Sequence, residues 1–284
     1  MIDSSAAGAL IKPDRQPASV RAGIDSEPDL GSSPRAARPG LALWVENVTV
    51  SFSGFLALDD ITLTIDKGEL RCIIGPNGAG KTTLMDVITG RTRPTTGSVY
   101  LESRAIEVTA LPEWRIAQIG VGRKFQRPTV FHGHTVEENL ELAIASNKGV
   151  FRTLFHRRTA NERERIERAL ETIGLKDAKS KRAGLLSHGH KQWLEIGMLL
   201  VQQPKVLLVD EPVAGMSQQE MEKTAELLSG LAGEQTVIVV EHDMDFVRSI
   251  ARTVTVLHEG RVLAEGSMEA IQKDPRVIEV YLGA

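Results

Sequence analysis

Nine consecutive residues, Gly75-Pro76-Asn77-Gly78-Ala79-Gly80-Lys81-Thr82-Thr83, have the types and spacing needed to hold a chain of phosphates. They satisfy the pattern G-x-x-x-x-G-K-S/T at Gly75, Gly80, Lys81 and Thr82. Glycines let backbone N–H groups converge on phosphate oxygens without Cβ obstruction. A helix starting at such a loop adds positive potential. Lys81 reaches the β- and γ-phosphates, and the Thr82 hydroxyl can ligate Mg²⁺. A purely structural glycine turn is the plainer alternative, but the flanking pattern argues against it. The apolar run Leu70 to Ile74 precedes the loop, and Leu84, Val87 and Ile88 follow on one helix face, closed by Gly90.

Two more apolar runs end in polar chemistry. Val206 to Val209 leads into Asp210 and Glu211, and Thr236 to Val240 leads into Glu241 and His242. Continuous apolar runs of this length suit parallel strands covered on both faces. In open α/β sheets, ligands sit beyond the carboxyl ends of the strands. Asp210 is therefore placed to hold Mg²⁺, Glu211 to orient or deprotonate an attacking water, and His242 to bond a γ-phosphate.

These residues must be carried by an α/β domain. Leu43, Val45, Val48 and Val50 begin a strand, and Ile61, Leu63 and Ile65 alternate with Thr62 and Thr64, a period of two that predicts half-buried antiparallel strands. Ile166, Ala169, Leu170 and Ile173 share one helix face, with Gly174 as C-cap. Val254 to Leu257 and Arg261 to Ala264 flank a hairpin turn at His258-Glu259-Gly260. Residues 1–40 carry five acidic and five basic residues and no apolar period, which predicts a disordered extension. The balance of acid against transit-peptide composition points the same way.

Composition excludes some classes. The chain has 284 residues and a formal net charge of -3, which argues against a nucleic-acid surface. No stretch approaches the ~20 apolar residues of a membrane span, so any membrane role is expected to come from another chain. The single cysteine, Cys72, lies in an apolar run and reads as a buried small hydrophobe.

The motifs together resemble the ATP-binding cassette (ABC) family of P-loop NTPases. Leu186-Ser187-His188-Gly189-His190 stands in the place of that family's LSGGQ signature and ends 20 residues before Asp210. Gln126, in RKFQRP, looks like the Q-loop glutamine, and Phe52, 23 residues before Gly75, looks like the aromatic that stacks on adenine. The resemblance covers Leu41 to the C-terminus. It implies a parallel core sheet, an antiparallel β subdomain and an inserted helical subdomain over about 127–200. It also implies ATP and Mg²⁺, with Gln126 among the metal ligands, and hydrolysis at a site shared between two cassettes. Ser187, Gly189 and His190 would meet the γ-phosphate held by the opposite subunit. The implied partners are two membrane permease subunits, a second ATPase subunit and, indirectly, an external solute-binding protein. The implied location is the cytoplasmic face of the inner membrane.

Within the family, LSHGHKQWLEIGMLL followed by DEPVAGM, and the closing VIEVYLGA, are similar to ATPases of branched-chain amino-acid importers, and most to their urea-importer type. Urea is thus the first expectation for cargo, with short amides and branched-chain amino acids next. Lipid-exporting and non-transport cassettes share the motifs and stay open. Three features depart from the family pattern. Ser187 is a good N-cap, but His190 replaces the glutamine that would complete an S-x-x-Q capping box. His188 adds bulk where the signature has glycine. Ser217 stands at the aspartate position of the D-loop, in Ala214-Gly215-Met216-Ser217. The H-x-H pairs His132/His134 and His188/His190 lack a third ligand and read as ordinary surface histidines. The charged run from Asn161 to Arg168 reads as a solvated helix face.

Overall fold

The computed structural model describes residues 40–126, 129–144 and 159–282. The expected extension, apart from Gly40, lies outside the described residues, as do Arg127, Pro128 and the two C-terminal residues.

Two sheets carry the fold. The core sheet has strand order β10-β9-β3-β8-β7-β6. Its strands are β3 (Leu70–Ile74), β6 (Val121–Lys124), β7 (Val206–Asp210), β8 (Thr236–Val240), β9 (Thr253–His258) and β10 (Arg261–Gly266). The first five run parallel, and β10 returns antiparallel to β9. The second sheet is antiparallel, in the order β2-β1-β4-β5, from β1 (Leu41–Phe52), β2 (Phe55–Asp66), β4 (Thr96–Leu101) and β5 (Ile106–Glu107).

The apolar runs have a direct structural cause. Alternate residues of the core strands point to opposite faces, and each face meets its own apolar cluster. Cys72, Leu207, Val209, Val237 and Val239 join the cluster that contains the helices of the inserted region. Ile73, Val206, Leu208, Ile238 and Val240 join the one that contains α1 (Lys81–Ile88) and the antiparallel sheet. No face is left for water, so the parallel strands are mostly apolar, and the polar residues inside them, Arg71, Arg123 and Thr255, are buried.

Between β6 and β7 lie α3 (Val136–Ala143), α4 (Ala160–Thr172) and α5 (His188–Leu200), preceded by the short α2 (Glu113–Gln118). Ile166, Ala169 and Leu170 of α4 are buried, with Ile173 just beyond the helix and Gly174 at positive φ. A Cβ on Gly197 would stand 2.6 Å from Ile173 Cδ1 and 3.1 Å from Leu140 Cδ2, so the glycine lets three helical segments meet closely. The remaining helices are α6 (Gln218–Leu231), α7 (Met244–Ile250), α8 (Met268–Lys273) and α9 (Pro275–Leu282). Glu259 and Gly260, both at positive φ, form the tight β9–β10 turn. Three glutamates make ion pairs or hydrogen bonds within the fold. Glu69 holds Arg71, Glu102 pairs with Lys205 at 2.7 Å, and Glu107 accepts from Ser98 and Thr109.

Candidate functional site

The carboxyl ends of β3, β7 and β8 point the same way because the strands are parallel neighbours. Beyond β3 the chain turns through Gly75-Pro76-Asn77-Gly78-Ala79 into α1, whose N-cap is Gly80 at φ 102. Gly80 is required by space as well as by backbone. A Cβ there would stand 2.6 Å from the Ala57 carbonyl and 2.8 Å from Leu58 Cδ2. The β1–β2 hairpin thus packs against the start of α1. Its tip carries Phe52, half exposed, with Phe55 across the turn.

Gly78 is the opposite case, with φ 82 and open space around a built Cβ. It and Asn77 are the exposed crest of the loop, while Ala79 is buried beneath. Lys81 Nζ donates to the Gly75 carbonyl (2.7 Å) and the Pro76 carbonyl (2.9 Å), which holds its ammonium over the cradle. Partial burial lowers its pKa, against the opposing pull of Glu211 and Asp210. Thr82 is exposed and Thr83 half-buried on the first turn of α1.

Glu211 sits in the left-handed region at φ 44, unusual for a non-glycine residue. Its amide donates to the Val240 carbonyl (2.9 Å), which ties the turn after β7 to the tip of β8. Its carboxylate accepts from Gln126 Nε2 and lies 3.6 Å from His242 Nδ1. Gln126 and His242, from distant parts of the chain, therefore meet the Glu211 carboxylate. Strain of this kind clusters at active sites.

Further charged residues pack against the site without having been apparent from the sequence. Arg123, buried on β6, donates to Asp210 Oδ2 (3.1 Å) and to Asp86 Oδ1 (2.5 Å). Glu241 is buried, and its carboxylate accepts from the amides of His242 (2.9 Å), Asp243 (3.3 Å) and Val213 (3.2 Å). It thereby fixes the turn carrying His242 and the turn after Glu211 together. Burial raises its pKa, against those hydrogen bonds. Lys124 is fully buried and donates to the Phe125 carbonyl (3.0 Å). Burial lowers its pKa, against the charges of Glu195, Asp210, Glu241 and Glu211. The only sequence signal for these groups was a charged residue next to an apolar strand.

The signature residues form a second cluster. Ser187 caps α5, accepting from the His190 amide at 3.2 Å. The capping box stays half-made, because the ring of His190 packs edge-on against Trp193, with centroids 4.9 Å apart. Ser187 Oγ instead donates to Glu220 Oε1 (3.0 Å) on α6, and Trp193 Nε1 donates to Thr224 Oγ1 (2.8 Å) on the same helix. Ser217, at the D-loop position, caps α6 in a complete capping box with Glu220. His188 Nε2 lies 3.2 Å from Gln192 Nε2. Among the described residues no group of three metal-ligating side chains occurs, including around the H-x-H pairs. A groove of about 670 Å³ at the other end of the core sheet, lined in part by Lys67, Arg168 and Lys205, contains none of the site residues.

A strand, a glycine loop and a helix beside acidic strand tips define a P-loop nucleotide-binding domain. A family model described as ABC transporter matches residues 58–214, and the chain belongs to that family. A second model, described as branched-chain amino acid ATP-binding cassette transporter, matches 261–284. The chain is 37% identical over 252 residues to the high-affinity branched-chain amino acid transport ATP-binding protein BraF of Pseudomonas aeruginosa, covering 85% of this chain and 97% of that one. It is 36% identical over 250 residues to LivG of Escherichia coli K12, again covering 85% and 97%. A solved nucleotide-free ATP-binding cassette from an ABC transporter superposes with TM-score 0.74 at 31% identity, covering 86% of this chain and 100% of that one. A dimeric cassette in a post-hydrolysis state with ADP and Pi gives TM-score 0.67 at 28% identity, covering 80% and 98%.

The fold is therefore that of the ABC ATPases, and the chain is an ATPase subunit whose hydrolysis is coupled to transport. Subunits of this family dimerise and work with membrane permease components. No helix among the described residues is long and apolar enough to cross a membrane.

Proposed function

We propose that this chain drives a branched-chain amino-acid importer, from the cytoplasmic face of the membrane, paired with a second cassette beneath two permease subunits. An external solute-binding protein would deliver the cargo. The observation that carries this reading is the match along 97% of the length of relatives named for branched-chain amino acid transport, joined to the matching C-terminal segment. The sequence expectation had put urea first, and the names of the relatives reverse that order. Urea stays as the second reading, on the run Leu186 to Leu200 and the DEPVAGM that follows Val209.

The residues present fit ATP and its metal. The crest at Gly78 is open, the Lys81 ammonium is held by carbonyls, and Thr82 and Asp210 offer the hard oxygens that Mg²⁺ takes. Mg²⁺ held by Thr82, Asp210 and Gln126 would neutralise charge on the phosphates. Backbone amides of residues 77–83 and Lys81 orient the triphosphate, and Phe52 stacks on the adenine ring. Glu211, aimed by Gln126, accepts the proton of the attacking water. His242, supported by Glu241, donates a hydrogen bond to the γ-phosphate. Ser187, Gly189 and His190 complete the site of the opposite subunit.

Vesicles reconstituted with the chain, its cognate permease and its binding protein test the cargo. ATP-dependent uptake of leucine, isoleucine or valine is expected. Uptake of urea alone would establish the second reading, and uptake of neither would remove both.

A further inference from the structure

A serine hydroxyl has one proton to give, and in this chain Ser187 gives it to a carboxylate. Its oxygen accepts the His190 amide at 3.2 Å and donates to Glu220 Oε1 at 3.0 Å. Glu220 lies hard against the signature backbone, since a Cβ on Gly189 would be 2.5 Å from the same Oε1. The carboxylate is kept there from the other side. Its Oε2 accepts from the Ser217 amide (3.0 Å) and the Ser217 hydroxyl (3.0 Å), the reciprocal half of the α6 capping box. Those bonds, Ser217's amide foremost, hold Glu220 in its ionised form below the usual carboxylate range. The two helices are further tied by the Trp193–Thr224 hydrogen bond, so Glu220 cannot leave by a simple helix shift that spares that contact.

An anion seated at the N-cap of α5 uses the hydroxyl that an incoming phosphate would need, and it repels that phosphate. We infer that Glu220 is a positioning residue acting through Ser187: it serves as an internal anion at the signature, which the γ-phosphate of the opposite subunit's ATP must displace as the dimer closes. This rests on the reading that Ser187 faces that phosphate. Glu220 thereby raises the ATP concentration at which paired subunits close and turn over. It also explains what Ser217 does at the D-loop position, which is to hold the carboxylate in place.

Glutamine completes a capping box as glutamate does. Glu220→Gln therefore keeps an acceptor for Ser217, removes the charge, and lets its amide donate to Ser187 Oγ, which frees the serine proton. The test uses the complex co-purified from its host through a tag on the full-length chain, with ATPase measured against ATP concentration. Glu220→Gln should lower half-saturating ATP about three- to tenfold, the size of one ordinary net hydrogen bond or exposed ion pair. Nucleotide binding by the isolated chain and its melting temperature should stay as in wild type. The difference should shrink in high salt, and Glu220→Asp, which keeps the charge, should not reproduce it. Half-saturating ATP that is unchanged or raised in Glu220→Gln overturns the inference. Ser187→Arg in the same complex tests the underlying reading separately. It should abolish turnover while sparing nucleotide binding, and normal turnover there would show that Ser187 does not complete the opposite site.

Discussion

The Glu211→Gln substitution isolates proton transfer from every other task of the site. The backbone of Glu211 is held at φ 44 by the amide bond to Val240, which any side chain would keep. Among the described residues its carboxylate is met by the Gln126 amide at Oε2 and lies 3.6 Å from His242 Nδ1 at Oε1. Glutamine presents an oxygen to Gln126 in the same place, so the geometry around the phosphates should survive. What disappears is a base. General-base catalysis contributes about 10²- to 10⁴-fold, which at 1.36 kcal/mol per decade is roughly 2.7 to 5.4 kcal/mol of barrier. Loss of the negative charge also removes one of the two opposing pulls on Lys81, whose pKa burial already lowers. Since lysine starts well above neutrality, ATP affinity should hold. Phosphate release by the assembled complex, followed alongside binding of a fluorescent nucleotide, checks both halves. Expected are turnover reduced at least about 10²-fold, an affinity within about threefold of wild type, and a dimer trapped with ATP. Turnover within about threefold of wild type would refute the assignment of Glu211 as base.

Two further outcomes follow from buried geometry. Gly80→Ala places a Cβ 2.6 Å from a backbone carbonyl at φ 102, so unfolding free energy should fall by about 2–4 kcal/mol, and a denaturant titration giving less than about 0.5 kcal/mol would contradict the packing. Burial, with a smaller contribution from Glu241, pushes the Cys72 thiol up to about 12. In the unfolded chain the thiol ionises near ~8.5. Stability is thus untouched below that pH and lost as pH rises from it toward the folded value. At pH ~10 the loss specific to this group is about 2 kcal/mol. Comparing wild type with Cys72→Val at neutral and alkaline pH reads this directly, and identical alkaline losses would contradict it.

The strands were legible because they are buried on both faces. Leu70–Ile74 and Thr236–Val240 begin and end where their apolar runs do. The nearness of Glu211 and His242 was legible as well, because parallel strands deliver their tips to one edge. Gln126 entered only through the family resemblance, since the strand before it, β6, carries two basic residues and gave no apolar run. What stayed hidden was the support beneath them. Arg123 and Asp210 are 87 residues apart in sequence, and Lys124, Glu195 and Glu241 come from β6, α5 and the turn after β8. A charged residue in a strand carries no mark of the partner that folding will bring to it. Glu220 was hidden for a different reason, since a glutamate at N3 of a helix already has a complete local explanation in its capping box. Its second bond, to Ser187, depends on how α5 and α6 pack and on nothing local.

Nucleotide titration of the full-length chain, wild type against Lys81→Ala, tests the central claim most directly. The account predicts saturable, Mg²⁺-dependent ATP binding that the substitution weakens by at least about tenfold, the scale of one charge-assisted contact to phosphate. Equal affinity in the two proteins, or no ATP binding by wild type, would contradict it.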